Sequence, residues 1–399
     1  MVHPPGPRTP TNGRSRLDRR SFLQGASLSA LALGGGGVLS GCGTEGATVD
    51  QDDCQSSDRS AEEKEITFSN WPLYIDPIKA KNVSTLEAFE KQSGITVDYT
   101  ADVNDNDGFY AKVSPQLGDC KSTNRDVFAL TDWMAAKMID LGWIQELDHA
   151  NMPNVDENLL DWFKSPAWDP DRKFSVPWQA GMTGICYNSE LVDPVESWED
   201  LLRRPDLNGK VTVLSEMRDT MIFMLLLQGA DPEDFTSEEY SAAIDDLKGA
   251  VDSGQIRRFT GNDYIDDLKS GNVVACESWS GDVSQLGDDK FVWVKPSEGF
   301  AVWADNMMVP NLASHKANVE KLIDFYYDPK VAAQLAAWNY YVCPVRDASE
   351  YMAEFDESAV DNPLIFPDES GLDAGLDFMV LDEDQDQEYQ RMFNEVQSG

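Results

Sequence analysis

The sequence predicts an α/β protein of two lobes, built on parallel sheets with crossover helices. Two observations carry this. Apolar segments of strand length alternate with amphipathic helical segments along most of the chain, the pattern that parallel βαβ units require. The chain also has 399 residues, 41% of them hydrophobic, which is more than one small core uses and enough for two.

Each element has a local reason. Glu65-Ile66-Thr67-Phe68-Ser69-Asn70 reads as the first strand. A helix follows, with Ser84 as N-cap, Glu87 as its capping-box partner and Gly94 as its stop. The segments from Ile95 to Tyr99 and from Asp126 to Leu130 are the next strands, and Met134 to Leu141 is a short helix closed by Gly142. Later strands run from Val211 to Leu214 and from Val273 to Glu277. Helical segments run from Met221 to Gln228, Ser237 to Val251, Val319 to Tyr327 and Val331 to Trp338. The acidic stretch from Leu381 to Asp386 caps a final helix, where negative charge is favourable. The stretch from Asp102 to Gly108 superficially resembles a calcium loop. With Gly108 at the sixth position, however, Val103 and Ser114 stand where carboxylates are needed, so it reads as a polar loop leading into a helix.

The N-terminal region has a different character. Asp18-Arg19-Arg20-Ser21-Phe22-Leu23, a short apolar run and Leu39-Ser40-Gly41-Cys42 look like a twin-arginine (Tat) export signal closed by a lipobox. Cys42 is then the lipidated first residue of a mature lipoprotein. The apolar run is too short to span a bilayer, which takes about 20 apolar residues. Expected organisation is therefore residues 1–41 as export signal and 42–63 as a flexible tether poor in large apolar residues.

Losing the five arginines and one acid of the export segment takes the net charge from −39 to −43. That surplus excludes nucleic acid as a partner, because phosphate neutralisation needs excess Lys and Arg. It fits a solvated acidic shell, and also attraction of cationic ligands to a site. Five cysteines follow Cys42, an odd number, so at least one has no intramolecular partner. Connectivity cannot be read from sequence, and a pairing of Cys186 with Cys343 across the hinge region is one candidate. The three scattered histidines and the lack of Cys-x-x-Cys predict no transition-metal site, and no cofactor is implied.

No catalytic motif is present: no Gly-x-Ser-x-Gly elbow, phosphate loop or His-Glu-x-x-His. Aromatics and carboxylates instead recur just beyond strands. Trp71 and Tyr74 follow the first strand, and Thr131 and Trp133 the strand ending at Leu130. Glu216, Arg218 and Asp219 follow Leu214, Trp279 and Asp282 follow Glu277, and Trp303 and Asp305 flank a further apolar segment. Ligands of parallel α/β sheets bind beyond the carboxyl ends of strands, so these groups have a common place to meet. Taken singly, each Trp also suits core packing and each acid a helix N-cap.

Ser69-Asn70-Trp71-Pro72-Leu73-Tyr74, Thr131-Asp132-Trp133, Ser215-Glu216-Met217-Arg218-Asp219, Trp279-Ser280-Gly281-Asp282-Val283 and Trp303-Ala304-Asp305 occur in a telling order. In order and spacing they resemble the spermidine/putrescine-binding proteins of ABC transporters. The resemblance implies the type II periplasmic-binding-protein fold, with two α/β lobes joined by hinge strands around an interlobe ligand cleft. Lobe 1 is then 64–180 with 306–345, and lobe 2 is 181–305 with 346–399. It implies that Trp71, Trp133 and Trp279, with Tyr74 beside them and Trp303 stacking, box the methylene chain of a polyamine. Glu216, Asp219 and Asp305 hold its ammonium groups, and Asp282 matches a putrescine-type pattern. Arg218 is misplaced in such a site and is expected to turn away onto a carboxylate. A glutamine of spermidine-type relatives has no clear counterpart near Asp377 and Phe378.

The function expected is an extracytoplasmic, monomeric polyamine receptor, anchored through Cys42, that delivers putrescine or spermidine to an ABC permease without catalysis. Three alternatives stay open: another organic cation, sugar or amino-acid derivative in the same fold; a secreted hydrolase using Glu216 and Asp219; and a sensor subunit in place of an importer receptor.

Overall fold

The computed structural model describes residues 54, 57–77, 83–379 and 381–399. The export segment, Cys42 and most of the expected tether lie outside the described residues. Strand β1 (Glu65–Asn70) buries Ile66 and Phe68 by simple alternation, then stays buried through Asn70, where it enters the cleft region. Helix α1 (Thr85–Ser93) has the expected capping box of Ser84 and Glu87, and ends on Gly94 at φ 72°, a left-handed turn that a side chain would strain. Next come β2 (Thr96–Ala101), α2 (Asn106–Gly118), β3 (Val127–Thr131), α3 (Asp132–Asp140) and the short α4 (Pro153–Asn158).

The 13-residue β4 (Val176–Asn188) is buried throughout. Beyond it lie α5 (Trp198–Arg203), β5 (Val211–Leu214), α6 (Met217–Gln228), α7 (Ser237–Asp252), β6 (Ile256–Thr260), α8 (Tyr264–Ser270) and β7 (Ala275–Trp279). Then follow α9 (Ser280–Gln285), β8 (Phe291–Val294) and β9 (Ala301–Met308). The chain closes with α10 (Lys316–Tyr326), α11 (Pro329–Asn339), α12 (Ser349–Met352), α13 (Glu369–Asp373) and α14 (Glu383–Ser398), the last behind a capping box at Asp382.

The strands form a sheet of order β2-β1-β3-β9-β4-β7-β5-β6, with β8 on β4. Within each half the pairs β1–β2, β1–β3, β5–β6 and β5–β7 are parallel, as the alternating pattern predicts. Strands β4 and β9 run antiparallel to their neighbours and to each other, from Val176↔Met307 to Thr183↔Ala301. They are the crossing strands that the expected two-lobed arrangement needs. Trp178, Phe68 and Tyr326 belong to the core of the first half, and Trp198, Phe223 and Tyr240 to that of the second. Tyr389 stacks on Tyr240 with ring centroids 3.8 Å apart, which fixes α14 onto α7.

Three expectations change. The tether was expected to run to residue 63, yet Asp58 and Ser60 accept hydrogen bonds from the backbone N–H groups of Ala317 (3.1 Å) and Asn318 (3.0 Å). The physical reason is that α10 has no side-chain cap of its own at His315, so its unpaired N–H groups recruit this segment. The C-terminal region from 346 was assigned to lobe 2, but α12 packs on α11 in the first half, where Cys343 N–H also bonds Ile365 O. Return to the second half comes at Leu376, which bridges to Ala301, and at α14. Finally, Cys54 pairs with Cys120, while Cys186 and Cys343 are both buried and free. Cys186 lies opposite Cys276 in the β4–β7 ladder, which keeps it from Cys343.

Closing a loop across a sequence separation of 66 residues constrains the unfolded chain. Cys120→Ser is expected to cost about 2–4 kcal/mol of unfolding free energy, measured by urea titration. An unchanged midpoint would show that the crosslink contributes nothing.

Candidate functional site

Strand ends from both halves meet at a narrow cavity. Trp71, Trp279 and Trp303 line it together with Tyr74 and Tyr341, and Glu216, Asp219, Asp305 and Thr131 supply its polar groups. The aromatic walls touch edge to face: Trp71–Trp279 centroids lie 5.8 Å apart at 76°, and Tyr74–Tyr341 centroids 4.9 Å apart at 64°. Each ring is held from behind. Trp71 Nε1 donates to Ala129 O (3.1 Å), and Trp303 Nε1 to Thr183 Oγ1 (2.9 Å). Gly181 on β4 makes room for Trp303, since a Cβ there would sit 2.6 Å from the indole.

The carboxylates are placed with equal care. Asp305, in register with Thr131 across β3 and β9, accepts from Thr131 Oγ1 (2.7 Å) and Tyr74 Oη (2.7 Å). Glu216 sits at the N-cap of α6, but turns from its own helix to the start of α2 in the other half. There Asn106 N–H (2.7 Å) and Asn106 Nδ2 (2.9 Å) donate to it. Asn106 Nδ2 also donates to Thr131 Oγ1 (2.8 Å), so one network runs from Glu216 to Asp305. Asp219 accepts from Thr183 Oγ1 (2.6 Å) and Trp279 Nε1 (3.4 Å).

All three acids are at most 3% exposed, and among the described residues none forms an ion pair with Lys, Arg or His. Burial therefore pushes Asp305 up to about 7 and Glu277, directly behind the site, up to about 8, where the Asp219 charge adds to it. Burial also raises Glu216 and Asp219, and the charge of Asp219 raises Glu216 further. A neutral or anionic solute gains nothing from such a cluster, whereas a cation supplies the counter-charge it lacks.

Two expected ligand residues stand elsewhere. Trp133 does not line the cavity: the Arg218 guanidinium covers its ring at 4.1 Å. Asp282 lies behind the aromatic wall, with one oxygen taken by Tyr341 Oη (2.7 Å) and the other by Tyr264 Oη (2.9 Å) and Asn262 Nδ2 (2.8 Å). It orients Tyr341, and Gly281 gives that ring its space, because a Cβ there would collide with it. Sequence reasoning passed over Asn106, Asn262, Tyr341 and Phe378. Asn106 was visible only as part of a polar loop, and Tyr341 and Phe378 follow no strand.

Arg218 turns away as expected and pairs with Asp386 on α14 (2.8 Å). Lys137 on α3 reaches the other oxygen of Asp386 (2.8 Å). With Trp133 under Arg218, this makes a charged bridge between the halves, outside the cavity. Asp107 beside it is pushed by burial to about 6.

Residues 84–365 match one protein family along most of the described chain. The chain belongs to the bacterial extracellular solute-binding proteins. It is 28% identical over 314 residues to the spermidine/putrescine-binding periplasmic protein of Escherichia coli (strain K12), covering 78% of this chain and 85% of that protein. It is also 28% identical over 365 residues to a putrescine-binding periplasmic protein of the same strain, covering 85% and 93%. Among solved structures, a putative spermidine/putrescine ABC transporter protein from Listeria monocytogenes superposes with TM-score 0.73 at 24% identity, covering 84% and 99%. A lipoprotein of Treponema pallidum superposes with TM-score 0.69 at 19% identity, covering 84% and 100%. These likenesses identify the fold as the two-lobed α/β fold of periplasmic solute-binding proteins, which act outside the cytoplasm. Among the described residues no helix is long and apolar enough to cross a membrane.

Two measurements check the site's electrostatics. A carboxyl with a raised folded pKa keeps its proton longer in the folded chain, so its stabilising effect is full below about pH 4 and lost as pH rises through about 7 to 8. The Tm of the empty protein should fall over that window, and Asp305→Asn should flatten the fall; parallel curves would disprove the cause. Arg218→Gln should weaken ligand binding by about three- to tenfold, through loss of a cation–π contact of roughly 0.5–2 kcal/mol between the halves, seen as faster dissociation in stopped flow.

Proposed function

We propose that this solute-binding protein is a polyamine receptor, lipid-anchored at Cys42, that hands putrescine or spermidine to an ABC permease and performs no catalysis. The observation that carries the reading is a set of buried carboxylates, with no basic partner, converging on a cavity walled by aromatic rings. A polyamine is a string of ammonium groups on an apolar chain, so it matches both features at once. Each ammonium gains charge-assisted hydrogen bonds of roughly 1.5–3 kcal/mol. Its methylenes and cationic ends pack on Trp71, Trp279 and Trp303, worth roughly 0.5–2 kcal/mol per desolvated cation over a ring. The relatives named for spermidine and putrescine favour the same ligand class.

Entry of a dication keeps the carboxylates ionised. Binding therefore expels the protons they hold, and affinity should rise with pH up to about 7, through the titration of Asp305. Because Glu216 is held by Asn106 from the opposite half, ligand and protein contacts both favour the closed arrangement. A hydrolase working through Glu216 is disfavoured by the same geometry, because both oxygens of Glu216 accept from Asn106. Sugars want neutral hydrogen-bonding groups beside the rings, and here three acids stand among them.

Calorimetric titration of the lipid-free mature protein with putrescine and spermidine tests this. Saturable one-to-one binding is expected, weakened about tenfold or more by Asp305→Ala and by Glu216→Ala. Unaltered affinity in both variants would remove the site assignment, and silence with both amines would remove the ligand.

A further inference from the structure

A second cluster of titratable groups lies where the N-terminal segment meets α10, away from the cavity. His315, at the start of α10, is 6% exposed. Its Nδ1 lies 3.0 Å from Asp126 Oδ2, an oxygen already fixed by the Thr67 N–H at 2.9 Å. Asp126 therefore holds a hydrogen on Nδ1 and aims Nε2 at two other carboxylates: Glu63 Oε2 at 2.8 Å and Glu65 Oε1 at 4.0 Å. Donor atoms of Glu63, Glu65 and His315 all lie within 4.8 Å of one another. A neutral imidazole would there point a lone pair at two negative groups, so something positive must stand between them, either a proton on Nε2 or a metal ion.

The surroundings are built to hold this geometry. A single amide, Asn318 Nδ2, donates to the backbone carbonyls of both Glu63 (2.8 Å) and Glu65 (3.1 Å). Arg59 occupies Glu63 Oε1 (2.8 Å) and leaves Oε2 to the cluster, while Lys316 turns away to Glu146 O and Glu320. Glu65 is exposed, so the site opens to solvent on one side. We propose that His315, Glu63 and Glu65 bind a divalent transition-metal ion of the zinc type, with Asp126 orienting the imidazole as the carboxylate behind a metal-bound histidine does. One imidazole nitrogen with two carboxylate oxygens suits zinc or cobalt better than calcium or magnesium, which take oxygen ligands. Such an ion would fasten the segment leading into β1 to the N-terminus of α10, beside the contacts of Asp58 and Ser60.

The proton is the competitor. Burial lowers the affinity of His315 for it, but hydrogen bonds to Asp126 and Glu63 and the charges of Asp126 and Glu65 outweigh burial and raise its pKa. Metal binding must displace that proton, so it strengthens as pH rises.

The test uses chelator-stripped mature protein titrated with Co²⁺ and Zn²⁺ above neutral pH, followed by calorimetry and by the visible d–d bands of cobalt. One equivalent is expected, with affinity reduced at least about tenfold by Glu65→Gln and by His315→Gln, and unchanged by Glu62→Gln, a bystander acid. Glu65 is exposed, so Glu65→Gln keeps the experiment informative even where His315→Gln unfolds, which circular dichroism reports. Absence of saturable binding, or equal affinity in wild type and Glu65→Gln, would overturn the proposal by placing the ions on the general acidic surface.

Discussion

Burial of negative charge without a protein counter-charge is the constraint on which the rest of this structure depends. Glu216, Asp219 and Asp305 are removed from water, and Glu277 lies behind them, yet the guanidinium of Arg218, next to Asp219 in sequence, is committed to Trp133 and Asp386. Neutral donors do what they can: Thr131, Tyr74, Asn106 and Thr183 satisfy the oxygens without neutralising them. The site thereby lacks compensating positive charge, and the raised affinity of its carboxyls for protons expresses that lack. Donors that orient carboxylates without cancelling them separate a receptor site from a structural ion pair.

The second organising feature is the pair of long strands β4 and β9. β4 carries Thr183, and β9 carries Trp303 and Asp305, and both strands run through the boundary between the halves. Site residues are thus fixed on the elements that any relative movement of the lobes must flex. The Lys137–Asp386–Arg218–Trp133 bridge adds a contact between the halves that owes nothing to the ligand. Affinity in such a protein is shared between groups that touch the solute and groups that touch only each other.

Much of this was legible in the sequence because it is local. The Ser84–Glu87 capping box, Gly94 and Asp382 mark helix ends through contacts three residues long. Trp71, Glu216, Asp219 and Trp279 were found because strand ends are where parallel sheets place ligands, whereas Trp303 and Asp305, read as flanking an apolar segment, lie inside the crossing strand β9. Trp133 shares that signature, and only Arg218, 85 positions later, takes its face. Asn106, Tyr341 and Phe378 enter the site from a helix start, a helix end and a late loop, positions set by long-range packing. His315 looked isolated for the same reason, since its partners Glu63 and Asp126 lie 252 and 189 residues away.

The Cys54–Cys120 bond has a mechanical consequence. It joins the incoming chain to the residue just past α2, in the half that also receives Asp58 and Ser60 on α10. A pull applied upstream of Cys54 is carried covalently into that half and bypasses β4, β9 and the cavity. Load on the incoming chain is thus taken by one half, and the other is the free end of a lever.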